Sequence, residues 1–220
     1  MTQHSTPQEA NPTRQERWGK VARRIRVPLG FLTAALFLIE TALRPPHYAA
    51  IAWSIALVLP GLLLRAAASG TVKKNRELTV TGPYAYTRNP LYLGSALIAA
   101  GFALGLFSWI VGLAIAFGFA LIYIPVIASE ERFLRGIFPG FDDYCRRVPR
   151  FLPRLTRAKL QQNNNLQSGA ELVTSDGQGG FSLVLYLKHR EYNAALGAAL
   201  LYLGLLFLRP VLEFILHRAG

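Results

Sequence analysis

Apolar residues in this chain are gathered into long runs that polar segments separate. Five runs are candidate membrane-spanning helices, at 27–43, 48–64, 91–106, 109–128 and 192–208. A helix needs about 20 residues to cross a hydrocarbon core of about 30 Å, so each run is near the lower limit for a span. The pattern predicts an all-α polytopic membrane protein of about five transmembrane helices.

The third and fourth runs form one stretch. Residues 91–128 contain no Asp, Glu, Lys or Arg over 38 positions, nearly twice the length that one crossing needs. We expect the stretch to fold back at Phe107-Ser108-Trp109. The polar sequences at its two ends, residues 82–94 and Glu130-Glu131, then return to the same membrane face, where they predict an active site.

The distribution of Lys and Arg between the polar segments predicts the orientation of the chain in the membrane. With five spans and the N-terminus inside, the inner segments 1–26, 65–90 and 129–191 hold 21 of the 24 Lys and Arg residues. This bias predicts an N-in, C-out protein with a cofactor pocket on the cytoplasmic face. The net charge of +12 then reflects topology and attraction to anionic lipid headgroups, not nucleic acid. One cysteine excludes an internal disulfide, and four scattered histidines predict no metal site.

The same pattern divides the chain into four parts. Residues 1–26 read as a disordered basic tail before an uncleaved signal anchor, and 27–154 as the membrane core. Residues 155–191 read as a cytoplasmic spacer followed by an amphipathic segment, and 192–220 as a C-terminal transmembrane helix.

The polar motif before the third run has the features of an anion site. Asn89-Pro90 has the form of a helix N-cap followed by proline at the first helical position. The free N–H groups of such a helix start attract anions, and the adjacent Arg88 carries a guanidinium suited to a carboxylate or phosphate. The alternatives are that Asn89 only caps, that Arg88 only grips lipid phosphate, and that the tyrosines form an interfacial belt, at Tyr84, Tyr86 and Tyr92.

The two adjacent glutamates have different helical neighbours. Glu130 shares a helix face with apolar residues three, four and seven positions on, at Phe133, Leu134 and Ile137. Glu131 precedes Arg135 by four residues, the spacing of an exposed ion pair. A carboxylate on an apolar face requires a cation, so we expect Glu130 to be the functional residue. A zwitterionic, cationic ligand such as S-adenosylmethionine suits this set of groups, as do other amino-acid-like ligands.

At these residues the chain resembles the isoprenylcysteine carboxyl methyltransferase and phospholipid methyltransferase family of integral membrane enzymes. The resemblance covers about residues 70–154 and depends on the order and spacing of Leu78, Gly82-Pro83-Tyr84, Arg88-x-Pro90-x-Tyr92-x-Gly94, Glu130-Glu131 and Tyr144…Arg147-Val148-Pro149. It implies cofactor contacts at Arg76, Glu77, Leu78, Thr79, Tyr84, Asn89, Pro90, Leu91, Tyr92 and Glu130.

The chain departs from the family in three ways. Asn89 replaces a histidine, Val126 stands where the eukaryotic enzymes carry a substrate-binding arginine, and residues 155–220 are an addition. A substrate site that lacks one cation can recruit another, so we predict that Arg190 and Tyr192 line the acceptor pocket. The alternative is that this basic, aromatic segment only anchors the last span.

The predicted function is an S-adenosylmethionine-dependent methyltransferase in the bacterial inner membrane. Arg88 and Glu130 are its expected catalytic residues, and its acceptor is a lipophilic small molecule, lipid or isoprenoid-like compound, methylated on a carboxyl oxygen or a nitrogen. Two alternatives stay open: an NAD(P)H-dependent reductase of the sterol-reductase-like membrane fold, and a non-catalytic membrane scaffold or transporter.

Overall fold

The regular structure of this chain is helical throughout the described residues. The computed structural model describes residues 14–45, 47–72, 78–156 and 180–219. Their α-helices, numbered α1 to α7, are Arg14–Leu43, Tyr48–Thr71, Pro90–Gly105, Trp109–Ile137, Phe141–Arg147, Leu183–Lys188 and Tyr192–Ala219. A turn of 3-10 helix, Gly82–Ala85, lies between α2 and α3. The predicted all-α class is confirmed.

Three of the described helices are long and apolar enough to cross a membrane, over Tyr48–Thr71, Val111–Ile137 and Tyr192–Arg218. Two further apolar helices, Gly30–Leu43 and Pro90–Gly105, are shorter. Bulky apolar side chains on α4 and α7 point outward, with Phe117 71% and Phe207 56% exposed. A lipid environment explains so much outward apolar surface. The number of crossings stays a prediction.

Helix α1 begins earlier than the sequence pattern predicts. It starts at Arg14, inside the 1–26 segment that we expect to be a disordered tail. Arg, Lys, Gln, Glu and Ala dominate this stretch and favour helix, so it continues the helix of the following apolar run. Residues 1–13, and residues 157–179 of the predicted 155–191 spacer and amphipathic segment, lie outside the described residues.

Helices α2 and α3 form a closely packed antiparallel pair in which glycines set the distance. A Cβ added at Gly94 would lie 2.7 Å from the carbonyl oxygen of Gly61, and one added at Gly101 would lie 2.5 Å from Cγ2 of Val58. Small residues allow helix backbones in a membrane to approach this closely. The pairing places Arg65, near the end of α2, beside the first turn of α3.

The uncharged stretch folds back as predicted. Helix α3 ends at Gly105 and α4 begins at Trp109, with Phe107 in the left-handed region at φ 52°. At the same end of the bundle, the rings of His47 and Phe107 stack 4.8 Å apart. The other end, where α2 and α4 finish and α3 and α7 begin, carries the polar motifs and is called the site face below.

Helix α7 is part of the core. Its Leu205 is 3% exposed in a cluster with Phe37 of α1 and Phe102 of α3, and Ser54 and Tyr202 hydrogen-bond across α2 and α7 at 2.7 Å. At the site face, the Ser182 N–H donates to the Gly70 carbonyl oxygen at 2.8 Å. The C-terminal addition is thus docked along the bundle at both ends.

Candidate active site

Two remote segments meet at the site face through backbone hydrogen bonds. The Arg88 N–H donates to the Pro149 carbonyl oxygen at 2.9 Å, and the Arg154 N–H donates to the Tyr86 carbonyl oxygen at 3.0 Å. The buried Thr87 hydroxyl donates to the Phe151 carbonyl oxygen at 2.9 Å. These bonds fix the loop before α3 against the chain that leaves α5.

Glu131 is the buried carboxylate of this region, with 4% of its surface exposed. Its Oε2 accepts from Arg150 Nη2 at 2.6 Å, and its Oε1 lies 3.3 Å from Arg88 Nη1. The Asn89 amide donates to Glu131 Oε1 at 3.4 Å and to the Arg150 carbonyl oxygen at 2.9 Å. One carboxylate therefore ties the end of α4 to the start of α3 and to the segment after α5.

The expected exposed ion pair between Glu131 and Arg135 is wrong. Arg135 pairs instead with Asp142 of α5, with Nε 2.7 Å from Oδ1. The helical spacing of Glu131 and Arg135 takes account of α4 alone. Helix α5 follows Gly140 and brings the Asp142 carboxylate to Arg135. The segment that follows α5 supplies Arg150 to Glu131.

Arg88 is held in the interior, with 14% of its side chain exposed. Its Nη1 donates to Cys145 Sγ at 2.7 Å as well as facing Glu131. Its Nε is buried and has no hydrogen-bond partner among the described residues. A buried N–H without a partner is costly, so this donor is an unsatisfied position in the ion-pair network around Glu131.

Asn89 occupies the predicted N-cap position of α3, and its carbonyl oxygen accepts the first helical bond from Leu93 N–H at 3.0 Å. Its side chain makes no capping hydrogen bond, because the amide is turned toward Glu131 and Arg150. The Asn89 side chain therefore leaves the N–H groups of the first turn uncapped. The positive end of the helix dipole at such a start favours an anion.

Glu130 lies on a different side of α4 from Glu131. Its Oε1 accepts a hydrogen bond of 2.7 Å from the Tyr92 hydroxyl. The Tyr92 ring packs edge-on against Tyr123, with centroids 5.3 Å apart, and against the fully buried Val126. The fully buried Val126 thus packs against the tyrosine that hydrogen-bonds to Glu130.

Tyr84 lies beside these carboxylates in the loop before α3. Burial raises the pKa of its hydroxyl, and the negative charges of Glu130 and Glu191 raise it further. Its carbonyl oxygen accepts from the Tyr144 hydroxyl at 2.8 Å, and burial likewise raises the pKa of Tyr144. Both phenols are neutral at physiological pH, so neither serves as a phenolate base.

The other residues that the resemblance assigns to the cofactor differ in how far they are buried. Leu78 is buried in a cluster with Phe141 and Val148, Thr79 is half-buried, Pro90 is buried, and Leu91 is half-buried. Arg76 and Glu77 lie outside the described residues. Leu78 thus supports the site through packing, which the resemblance alone does not reveal.

The C-terminal segment contacts α2 through Glu191, the neighbour of the predicted Arg190. Arg190 is exposed, with φ 53° in the turn between α6 and α7, and Tyr192 is 43% exposed. Their role in acceptor binding stays a prediction. Between them, Glu191 turns inward and accepts from Arg65 at 2.7 Å and 3.1 Å.

The sequence contains only a faint signal for this pair. Arg65 follows directly on the apolar run 48–64 and reads as the first residue of a polar loop. In the structure α2 continues to Thr71, which places Arg65 inside the helix and against α3. An arginine that is enclosed by a longer apolar helix is costly without a partner, and that cost is the signal that could have found Glu191.

Comparison with known proteins decides the family resemblance. Residues 50–140 match the phospholipid methyltransferase family. The matched segment contains α2, α3 and α4, together with Arg88, Tyr92, Glu130 and Glu131. The predicted resemblance is therefore confirmed over this segment, and the apolar helices with the family match identify an integral membrane protein.

Two curated proteins are similar over a shorter part. The chain is 43% identical over 84 residues to the cobalt-zinc-cadmium resistance protein CzcN of Cupriavidus metallidurans. It is equally similar to the nickel-cobalt-cadmium resistance protein NccN of Alcaligenes xylosoxydans xylosoxydans. Each match covers 38% of this chain and 39% of the relative, so the chain spans about two fifths of the length of these proteins. No solved structure matches the chain.

Proposed function

We propose that this protein is an S-adenosylmethionine-dependent methyltransferase that acts at the membrane on a lipophilic small molecule or lipid. The observation that carries the proposal is the convergence of Glu130, Tyr92 and Arg88 at one end of the family-matched helices. The positive-inside bias supports a site on the cytoplasmic face of a bacterial inner membrane.

The residues present fit this cofactor. Its amino-acid moiety requires partners for a carboxylate and an ammonium, and its sulfonium favours aromatic faces. The positive charge of Arg88 and the uncapped start of α3 suit the carboxylate. Glu130, held by Tyr92, suits the ammonium, and the aromatic rings of Tyr92 and Tyr123 suit the sulfonium.

The chain's own residues act by binding and orientation. When bound, the cofactor would supply a methyl group on a positively charged sulfur. The acceptor nucleophile would bond to the methyl carbon, and the sulfur would leave in line with the electron pair of the carbon–sulfur bond. Tyr92 fixes the Glu130 carboxylate, and the Glu131 ion pairs fix Arg88 and the loop before α3. Alignment and exclusion of water are the main requirements of such a displacement. If the acceptor is an amine or hydroxyl, an alternative role for Glu130 is that of the base that receives the acceptor's proton, in place of the contact with the ammonium.

Binding of S-adenosylhomocysteine to the purified full chain in detergent tests this proposal. We expect measurable affinity by calorimetry, and a loss of at least about tenfold in Glu130→Gln, the scale of one charge-assisted hydrogen bond. Glu213→Gln is the matched control, because Glu213 is an exposed carboxylate that pairs with Arg209 near the far end of α7. No binding by the wild-type chain at millimolar ligand contradicts the proposal.

A parallel titration separates the alternatives. A thermal shift with NADPH and none with S-adenosylhomocysteine would favour the reductase, and solute uptake by proteoliposomes without methyl transfer would favour a transporter. Incubation with radiolabelled methyl donor and a lipid extract of the source organism identifies the acceptor class. We expect label in the lipid fraction with the wild-type chain and none with Glu130→Gln.

The names of the two relatives suggest a physiological context for this activity, namely resistance to metals. Both are called resistance proteins for divalent metals, including cobalt and cadmium. We extend the proposal to a methylation that supports growth in the presence of such metals. A deletion strain should grow more poorly with cadmium and recover with the wild-type gene but not with the Glu130→Gln variant. Full recovery with that variant would remove methylation from the explanation.

A further inference from the structure

The C-terminal addition reaches the predicted site through one ion pair. Arg65 of α2 donates through Nε and Nη2 to the same oxygen of Glu191, at 3.1 Å and 2.7 Å. The Glu191 side chain is 14% exposed, far less than the 63% of Glu213 in the Arg209–Glu213 pair on α7, while the two arginines, at 23% and 29%, are similarly enclosed. An ion pair removed from water to this degree is expensive unless its remaining donors are also bonded.

The third guanidinium nitrogen of Arg65, Nη1, is also bonded, and its partners lie on α3. Its Nη1 donates to the Leu91 carbonyl oxygen at 3.4 Å and to the Ser95 hydroxyl. Ser95 in turn donates to the Leu91 carbonyl oxygen at 2.9 Å. The guanidinium therefore holds the first turn of α3 from the side, while Glu191 holds the guanidinium in place.

That first turn carries the site. Tyr92, which lies next to Leu91, donates to Glu130 at 2.7 Å. A small rotation of the turn would displace the Tyr92 hydroxyl from Glu130, and an error of about 1 Å in a positioning group can cost a methyl transfer roughly a hundredfold. The charge of Glu191 also contributes to the raised pKa of Tyr84, after burial and the charge of Glu130, so its carboxylate acts electrostatically on the loop before α3.

We propose that Glu191 is a positioning residue of the C-terminal addition, which acts through Arg65 on the first turn of α3 and thereby fixes Tyr92 and Glu130. The proposal builds on the proposed function. It assigns the addition a part in the cofactor site itself, in contrast to a role as a membrane anchor.

The test compares Glu191→Gln, in the turn before α7, with Glu213→Gln, the same substitution near the far end of that helix. We expect Glu191→Gln to lower the affinity for S-adenosylhomocysteine about tenfold, the scale of a charge-assisted hydrogen bond, while Glu213→Gln leaves it unchanged. Hydrogen exchange of the peptide 90–96 should accelerate in Glu191→Gln only. Affinity and exchange equal to those of Glu213→Gln would overturn the proposal.

A charge swap separates positioning from simple tethering. The double variant Arg65→Glu/Glu191→Arg restores an ion pair between α2 and α7 but removes the donor to Leu91 and Ser95. It should regain thermal stability relative to Arg65→Glu without regaining ligand affinity. Recovery of affinity as well would mean that the pair is only a tether. If the wild-type chain binds no S-adenosylhomocysteine, the proposed function fails, and the exchange comparison still decides the role of Glu191.

Discussion

At the scale of single residues, adjacent glutamates on one helix have separate tasks. Glu131 is 4% exposed and satisfies two guanidinium groups and an amide, whereas Glu130 is half-buried and is held by a tyrosine hydroxyl. The first arrangement is an ion-pair network that fixes chain segments. The second leaves a carboxylate beside aromatic rings, which suits a cationic ligand.

The buried network predicts a large stability effect at Glu131. Glu131→Gln leaves Arg88 and Arg150 without their counter-charge, and breaking a buried pair costs about 3–5 kcal/mol, with the lower end expected because Arg150 is half exposed. We expect the melting temperature in detergent to fall by roughly 5–10 °C. Asp142→Asn is the control, since its pair with Arg135 is exposed and should matter little. Equal melting temperatures for the two variants would contradict this assignment.

At the scale of helices, the α2–α3 contact controls the site, because Arg65 reaches α3 only where the two backbones are close. A Cβ on Gly94 would lie 2.6 Å from Cγ of Arg65 and 2.7 Å from the Gly61 carbonyl oxygen. Backbone atoms cannot yield as flexible side chains do, so the added methyl group must move the helices apart.

Gly94→Ala should therefore both destabilise the bundle and weaken ligand binding. Overpacking of this kind costs about 1–3 kcal/mol, and the displaced Arg65 would loosen the first turn of α3. Gly118→Ala in α4 is the matched control, since nothing lies within 4 Å of its added Cβ. Melting curves and S-adenosylhomocysteine titrations of both variants provide the measurement. A Gly94→Ala protein as stable as Gly118→Ala would show that the pair tolerates separation.

At the scale of the whole molecule, the prediction concerns orientation. The site face carries the basic segments, and the positive-inside rule assigns it to the cytoplasm, with the end of α7 outside. In a Cys145→Ser background, a membrane-impermeant maleimide should label His217→Cys in intact cells. Leu155→Cys, at a fully exposed position near the site face, should be labelled only after permeabilisation. The reverse pattern would invert the proposed topology.

The sequence by itself determined the helical class, the turn after α3 and the meeting of the two polar motifs. These features follow from local properties: apolar run length, the absence of charge over residues 91–128, and the proline and asparagine that start α3. This charge-free run is nearly twice the length of one crossing, so it has to fold back on itself. Its two ends then return to the same membrane face. Glu130 stood out for the same kind of reason, since a carboxylate on an apolar helix face was expected to need a cation, but the partner that the structure supplies is the Tyr92 hydroxyl.

Only the tertiary structure decided which partners the charged groups take. Helical spacing pairs Glu131 with Arg135, but α5 supplies Asp142 to Arg135 and the 149–154 segment supplies Arg150 to Glu131. The inward turn of Glu191 toward Arg65, across 126 positions of sequence, depends likewise on the docking of α7 beside α2. An ion pair is set by distance and by removal from water, and both arise only when separate helices pack together.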